Sequence, residues 1–196
     1  MAKQKQIKIK KDSRVFGATL DGVKYISNGH WMMRQDLVDV SNEMTIAMET
    51  QGHFTFYGGK GQNMDLARAA VDFKPILGSL EIEDLAPATH VNVVFPDGGI
   101  PGRGGLTPYI SEDNPEDGVS YFQVKYLEPL EGFQAYREKV DGELKPLRFF
   151  RGEDLVAIVM PCRAEDTPGM LSSLVEAHEM HKAKKIEDSV KARKSA

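Results

Sequence analysis

Three short stretches of the sequence hold residue types that can do chemistry. The first, residues 58–63 (GGKGQN), precedes a predicted helix, and a helix N-terminus can hold a phosphate group. It lacks the GxxxxGKS or GxxxxGKT spacing of a nucleotide-binding loop, in which the hydroxyl contacts magnesium. We therefore interpret it as a plain turn between a strand and a helix.

The other two stretches concern metal binding and nucleophilic catalysis. His178 and His181 are three residues apart with Glu179 beside them, whereas the zinc motif HExxH places its histidines four apart. Cys162 ends an apolar segment, while a reactive cysteine usually lies in an electropositive setting. No GxSxG nucleophile motif occurs in the sequence. We expect a solvated helix face, a packed cysteine, and no catalytic residue, metal or cofactor.

Composition indicates a soluble globular protein. The chain has 196 residues, enough for one ordinary domain or two small ones. It has one cysteine and therefore no internal disulfide, which favours a reducing compartment. It has no apolar run of about 18 residues and no secretory signal. We expect a cytoplasmic protein that does not enter membranes.

Charge is distributed unevenly along the chain. The net charge is −4, but lysines and arginines crowd both ends and acidic residues lie between them. Such asymmetry is consistent with a local nucleic-acid contact. The simpler interpretation, which we prefer, is solvated tails, because blocks of like charge are often disordered.

The elements that would position these residues alternate between strands and helices. Asp21-Gly22 and Asn28-Gly29 predict hairpin turns, since both pairs accept the positive φ that such turns need. Ser41 predicts a helix start, and Gly52 its end. Two more helices are predicted near residues 63–72 and 125–135. Further strands are predicted at residues 53–57, 90–95, 121–124, 147–150 and 155–160.

Two segments suggest how the chain is divided. Residues 96–118 are rich in glycine, proline and acidic residues, which predicts a long loop and a candidate internal boundary. Thr167-Pro168 predicts the start of a C-terminal helix that runs into a basic tail. We expect an α+β domain over residues 1–165, with two similar halves, followed by the helix and tail at 166–196.

Three short segments of the sequence carry recognisable motifs. Residues 24–33, KYISNGHWMM, are similar to the strand-turn motif ATDGHRLA of the bacterial DNA polymerase III β sliding clamp family. Residues 122–130, FQVKYLEPL, are similar to FNxxYLxxxL in its last domain. Residues 155–163, LVAIVMPCR, resemble its C-terminal strand YVxMPMRL. The segments cover a small part of the chain, and the second and third stand in the family's order.

The resemblance implies a DNA-clamp-like fold of two β-α-β-β type halves, with paired helices on curved antiparallel sheets and an added C-terminal helix. It implies a homo-oligomeric processivity or scaffold protein that binds duplex DNA non-specifically and takes linear peptides from DNA polymerase or other replication proteins in an apolar groove. The groove residues carried over are Gly29, His30, Trp31, Val159, Met160, Pro161, Cys162 and Arg163. Cationic residues expected to track phosphates are Lys8, Lys10, Lys11, Arg68 and Lys125.

The sequence also departs from the family. Trp31 replaces an arginine, so its ring could fill the groove from within, and Cys162 replaces a methionine. The chain is shorter than a three-domain clamp yet continues for 33 residues past Arg163. In a one-domain version, His30 and Met160 would face each other only across a subunit boundary. Two alternatives remain: an accessory protein of the same fold that does not encircle DNA, and a small enzyme using His30, His53 or Cys162.

Overall fold

A computed structural model describes most of the strands of the chain and one long helix. The described residues are 5–9, 14–57, 63–64, 82–91, 105–113, 119–139, 145–162, and the helical residues 176, 179, 180, 183, 184 and 187. The strands are β1 Ile7–Lys8, β2 Arg14–Leu20, β3 Val23–Ser27, β4 Trp31–Arg34, β5 Val38–Asp39, β6 His53–Tyr57, β7 Asn63–Met64, β8 Leu85–His90, β9 Leu106–Ser111, β10 Ser120–Gln123, β11 Gln134–Glu138, β12 Leu147–Arg151 and β13 Asp154–Val159. The helices are α1 Asn42–Gln51 and α2 Val124–Leu127, with 3-10 turns at Gln35–Leu37, Ile82–Asp84 and Glu128–Leu130.

The strands form one large, mainly antiparallel sheet. Its order is β10-β9-β8-β11-β12-β13-β4-β3-β2-β6-β7, and β1 pairs separately with β5 in parallel. Beyond β13, the amide of Cys162 donates to the carbonyl of Tyr121 in β10 at 2.7 Å. This bridge joins the segment after β13 to β10, so the first and last strands of the group β10-β9-β8-β11-β12-β13 are linked to each other. These elements confirm the α+β class.

The predicted hairpins and first helix are confirmed. Asp21 and Gly22 have φ values of 47° and 81° at the turn between β2 and β3. The Ser41 hydroxyl accepts from the amide of Met44 at 3.3 Å, which caps α1. At the other end, Gly52 adopts φ 74° and its amide donates to Met48, as a left-handed cap requires.

The two paired helices predicted near residues 63–72 and 125–135 are not confirmed. The helix expected at residues 125–135 is limited to α2 and one 3-10 turn, and residues 134–138 form β11. Pro129 lies in that 3-10 turn and has no amide hydrogen to extend an α-helix. Residues 63–64, the expected start of the other helix, pair with β6, and the rest of that prediction lies outside the described residues.

Strand positions around the predicted long loop also differ from expectation. Of the strand expected at residues 90–95, only residues 90 and 91 are described: His90 ends β8, which begins at Leu85, and the rest of that prediction lies outside the described residues. Residues 106–111, inside the predicted loop, form β9. Pro87 and Pro108 weakened both strand signals in the sequence. Their carbonyls nevertheless accept hydrogen bonds, from Glu112 at 2.9 Å and from Val91 at 3.1 Å. Pairing with neighbouring strands therefore overrides local propensity here.

The two faces of the sheet bury different clusters. The main core lies on the face covered by α1 and contains Trp31, Val159 and Leu147. A smaller cluster of Tyr25, Met32 and Ile158 lies on the opposite face. This split follows from strand alternation, since neighbouring residues point to opposite faces. None of the helices among the described residues has the length and apolarity needed to cross a membrane.

Candidate binding clefts beside Trp31

The turn after β3 and the end of β13 come together within one chain. Trp31 pairs with Val159 across β4 and β13. The amide of Met160 then donates to the carbonyl of His30 at 2.8 Å. No second subunit is needed to bring His30 and Met160 together, so that expectation is corrected.

A cavity of about 360 Å³ lies between these segments and the start of β12. We call it the Met160 cleft, and its described lining is Ser27, Gly29, Trp31, Met32, Pro146, Arg148, Ile158 and Met160. Its floor is a cross-strand row, because Met32 pairs with both Ser27 and Ile158, and Ile158 pairs with Arg148. These floor residues are buried, whereas Met160 is 41% exposed and Gly29 is exposed. The cleft is thus deep at the row and open near Met160.

Trp31 borders this cleft, but its ring does not lie on the cleft's floor. Trp31 belongs to the adjacent cross-strand row, with Val159 and Leu147, and all three belong to the main core. Alternation therefore places its side chain on the face opposite Met32 and Ile158. The residue is 3% exposed, and among the described residues its indole Nε1 has no hydrogen-bond partner.

The other predicted groove residues lie in different surroundings. His30 is exposed and stacks on Tyr126, with ring centroids 6.4 Å apart. Val159 is fully buried in the main core. Pro161 and Cys162 are half-buried, and Cys162 packs against a separate cluster that includes Tyr121. Arg163 lies outside the described residues. Of the predicted set, Gly29, Trp31 and Met160 therefore share the Met160 cleft.

Arg148 is a cleft residue that sequence reasoning missed. It is 5% exposed, and its Nη2 donates to Oε1 of Glu138 at 3.1 Å. Lys145 donates to the other oxygen of Glu138 at 2.9 Å, and this bond, together with that from Arg148, lowers the pKa of the Glu138 carboxyl against the opposing effect of burial. Nε and Nη1 of Arg148 are buried without a partner among the described residues. The sequence feature that could have indicated it is a single arginine inside the otherwise apolar run LRFF at residues 147–150.

A second cavity of about 360 Å³ lies on the other side of Trp31. We call it the lysine cleft, and its described lining is Lys5, Gln6, Ile7, Lys8, Ile9, Val15, Asn28, Trp31, Lys125, Tyr126, Glu128 and Pro129. It brings together Lys8 and Lys125 from the predicted DNA-binding set. Lys125 Nζ lies 4.7 Å from the centre of the Tyr126 ring. Lys10, Lys11 and Arg68 lie outside the described residues.

Lys5 adds a third cation to the lysine cleft. It contacts Glu128 at 3.5 Å, and both side chains are more than half exposed, so this ion pair contributes little to stability. Three lysines and one carboxylate leave the rim with excess positive charge, above apolar walls from β1 and β2. Such a rim can hold phosphate or carboxylate groups.

The described part of the chain contains no group of three or more His, Cys, Asp or Glu side chains that could hold a metal ion. His178 and His181 lie outside it, as does the GGKGQ part of the glycine-rich stretch. His53 lies at the start of β6, where its Nδ1 is 3.0 Å from the carbonyl oxygen of Gln51.

Comparisons with known proteins identify no relative. No protein-family model matches the chain, and neither the curated proteins nor the solved structures contain a significant match.

Proposed function

We propose that this chain is a non-catalytic, DNA-associated scaffold that binds a short linear peptide of a partner protein in the Met160 cleft. The observation that supports this most directly is the meeting of Gly29, Trp31 and Met160 around one cavity. These residues come from the two segments whose resemblance to sliding clamps suggested a peptide groove. Met160 suits such a site, because methionine repacks around different ligands.

The small number of apolar anchors that a short peptide can bury limits the affinity to be expected. Burying one large apolar anchor contributes roughly 1.5–3 kcal/mol. A peptide with two such anchors must still offset the loss of its own freedom, which leaves binding in the micromolar class. Binding of that strength allows partners to exchange on a scaffold.

A titration with a defined peptide tests this function. The probe is a six-residue peptide ending in Leu-Phe with a free carboxylate, followed by calorimetry and by the fluorescence of Trp31, the only tryptophan. We expect saturable micromolar binding. Lys184→Ala is the matched variant that should leave it unchanged, because Lys184 is exposed in the C-terminal helical residues. Absence of binding at millimolar peptide would overturn the proposal.

Non-specific binding of duplex DNA is a second candidate function, and the lysine cleft favours it. Lys8 and Lys125, which were expected to contact DNA, line the same cavity although they lie far apart in sequence. Contacts to phosphates release counterions, so affinity should fall steeply with salt. Changing both to glutamine should reduce the slope of log K against log salt by about 2. An unchanged slope would remove these residues from the interface.

The resemblance of the three segments to sliding clamps adds a topological expectation. If several copies close into a ring around DNA, the protein should stay on a circular plasmid and be lost from the same plasmid after linearisation. An accessory protein of similar fold that does not encircle DNA would bind both forms equally. Comparing retention on the two forms during gel filtration, with the oligomeric state measured by sedimentation, separates these two versions of the scaffold.

A further inference from the structure

Arg148 lines the Met160 cleft, and its guanidinium has unused hydrogen-bonding capacity. An arginine carries five N–H donors. In the structure, only Nη2 has a partner among the described residues, and Nε and Nη1 have none. The side chain is 6% exposed and both nitrogens are buried, so the guanidinium must turn toward the cleft for a ligand to reach them. Buried donors of a charged group are rarely left without an acceptor, because their lost hydration is not compensated.

The net charge of Arg148, Lys145 and Glu138 also favours the binding of an anion. Lys145 and Arg148 share the single carboxylate of Glu138, so this cluster of three carries an excess of one positive charge. Glu138 already accepts one hydrogen bond on each oxygen from these two residues. A buried charge is stable when it is both paired and hydrogen-bonded. Arg148 is already paired with Glu138, and an anionic oxygen in the cleft would balance the excess charge and accept the remaining hydrogen bonds of the guanidinium.

The rest of the lining selects what carries that anion. Met32, Ile158 and Pro146 provide apolar walls next to Arg148, and Met160 provides a partly exposed apolar surface at the mouth. The ligand must therefore combine a carboxylate with an apolar group at short range. The cleft is deep at the buried row and open near Met160, which suits the end of a chain better than a segment that must enter and leave.

We propose that the Met160 cleft recognises the free C-terminal carboxylate of a partner peptide that ends in a large apolar residue, with Arg148 as the carboxylate-binding residue. This rests on the proposed peptide-binding function and names its ligand class. The carboxylate oxygen accepts from the unpartnered guanidinium nitrogens of Arg148, and the terminal side chain packs against Met32 and Ile158.

The test compares chemical forms of one peptide on the unmodified full chain. The six-residue peptide ending in Leu-Phe is made as the free acid, as the C-terminal amide, and as an amide carrying one internal glutamate. We expect the free acid to bind at least tenfold more tightly than either amide, measured by calorimetry. This comparison needs no mutation and therefore does not depend on the stability of a variant.

A pair of variants then assigns the effect to Arg148. Arg148→Gln should bind the free acid and the amide equally, while Arg151→Gln, at an exposed arginine of the same strand, should keep the tenfold preference. Circular dichroism and thermal melting verify that both variants are folded. If acid and amide bind the wild type equally, peptide binding stands and the carboxylate site is refuted. If the amide with an internal glutamate binds as tightly as the free acid, recognition of the chain terminus is refuted. If none of the three forms binds, the proposed peptide-binding function fails as well.

Discussion

Replacing Met160 by alanine should weaken peptide binding by a modest and calculable factor. Met160 is at the open end of the cleft and is 41% exposed. Full burial of a methionine side chain contributes roughly 1.5–3 kcal/mol. A peptide that covers the exposed part would gain that fraction, roughly 0.6–1.2 kcal/mol. Because 1.4 kcal/mol corresponds to a tenfold change, the dissociation constant should rise roughly three- to sevenfold.

The assay is calorimetric titration of the Leu-Phe peptide into wild-type and Met160→Ala protein at one temperature and salt concentration. Ile46→Ala is the matched control, because Ile46 is a 57% exposed apolar residue on α1 and does not line the cleft. Its affinity should equal that of the wild type. Thermal melting of each variant establishes that affinity and not folding has changed.

Three results would refute the reasoning about Met160. A change of less than twofold would mean that the peptide does not cover this side chain. An equal loss in Ile46→Ala would mean that the peptide binds exposed apolar surface without selecting the cleft. A loss much greater than tenfold would require Met160 to shape the cleft in ways that its exposed area does not account for.

Three further predictions concern stability. Trp31→Ala should lower the free energy of unfolding by about 3–5 kcal/mol in urea titrations, because it empties a core position. Unchanged stability together with higher peptide affinity would instead mean that the Trp31 ring had blocked the groove. Gly17→Ala should cost about 1–3 kcal/mol by the same measurement, since its Cβ would overlap Phe54 and lie 2.8 Å from Met48 Sδ. Glu138 has a lowered pKa, so its contribution is present above its ordinary value of 4.5 and is lost as pH falls below it. Glu138→Gln should therefore lose less thermal stability than the wild type between about pH 5 and about pH 3, a range that begins just above the ordinary pKa of 4.5 and extends below it. An equal loss would contradict this sign.

Local signals in the sequence predicted the parts of the fold that depend on local chemistry. Asp21-Gly22 and Ser41 satisfy the backbone requirements of a turn and a helix start by themselves, and both appear where expected. β8 and β9 contain Pro87 and Pro108 and have weak strand signals. They form because each lies between two strands that complete its hydrogen bonding, which only the folded chain provides.

The second helix was misjudged for a related reason. Tyr126, Leu127, Leu130 and Phe133 have helical spacing, and all four pack on or in the main core. An apolar spacing is equally satisfied by a short helix, a 3-10 turn and the residues leading into a strand. What decided between them was the pairing of β11 with both β8 and β12, which is a long-range contact.

The candidate site shows the same division between local and long-range information. Gly29 and Met160 could be proposed from resemblance, because each lies in a short segment with a recognisable pattern. Arg148 could not, because its importance depends on strand register: pairing with Ile158 places it on the cleft face, and Glu138 from β11 occupies only one of its nitrogens. A lone arginine in an apolar strand predicts a buried charge, but the unused donors become visible only once every neighbour is placed. Those donors, and not the apolar walls that a sequence pattern can suggest, are what give the cleft a specific chemistry.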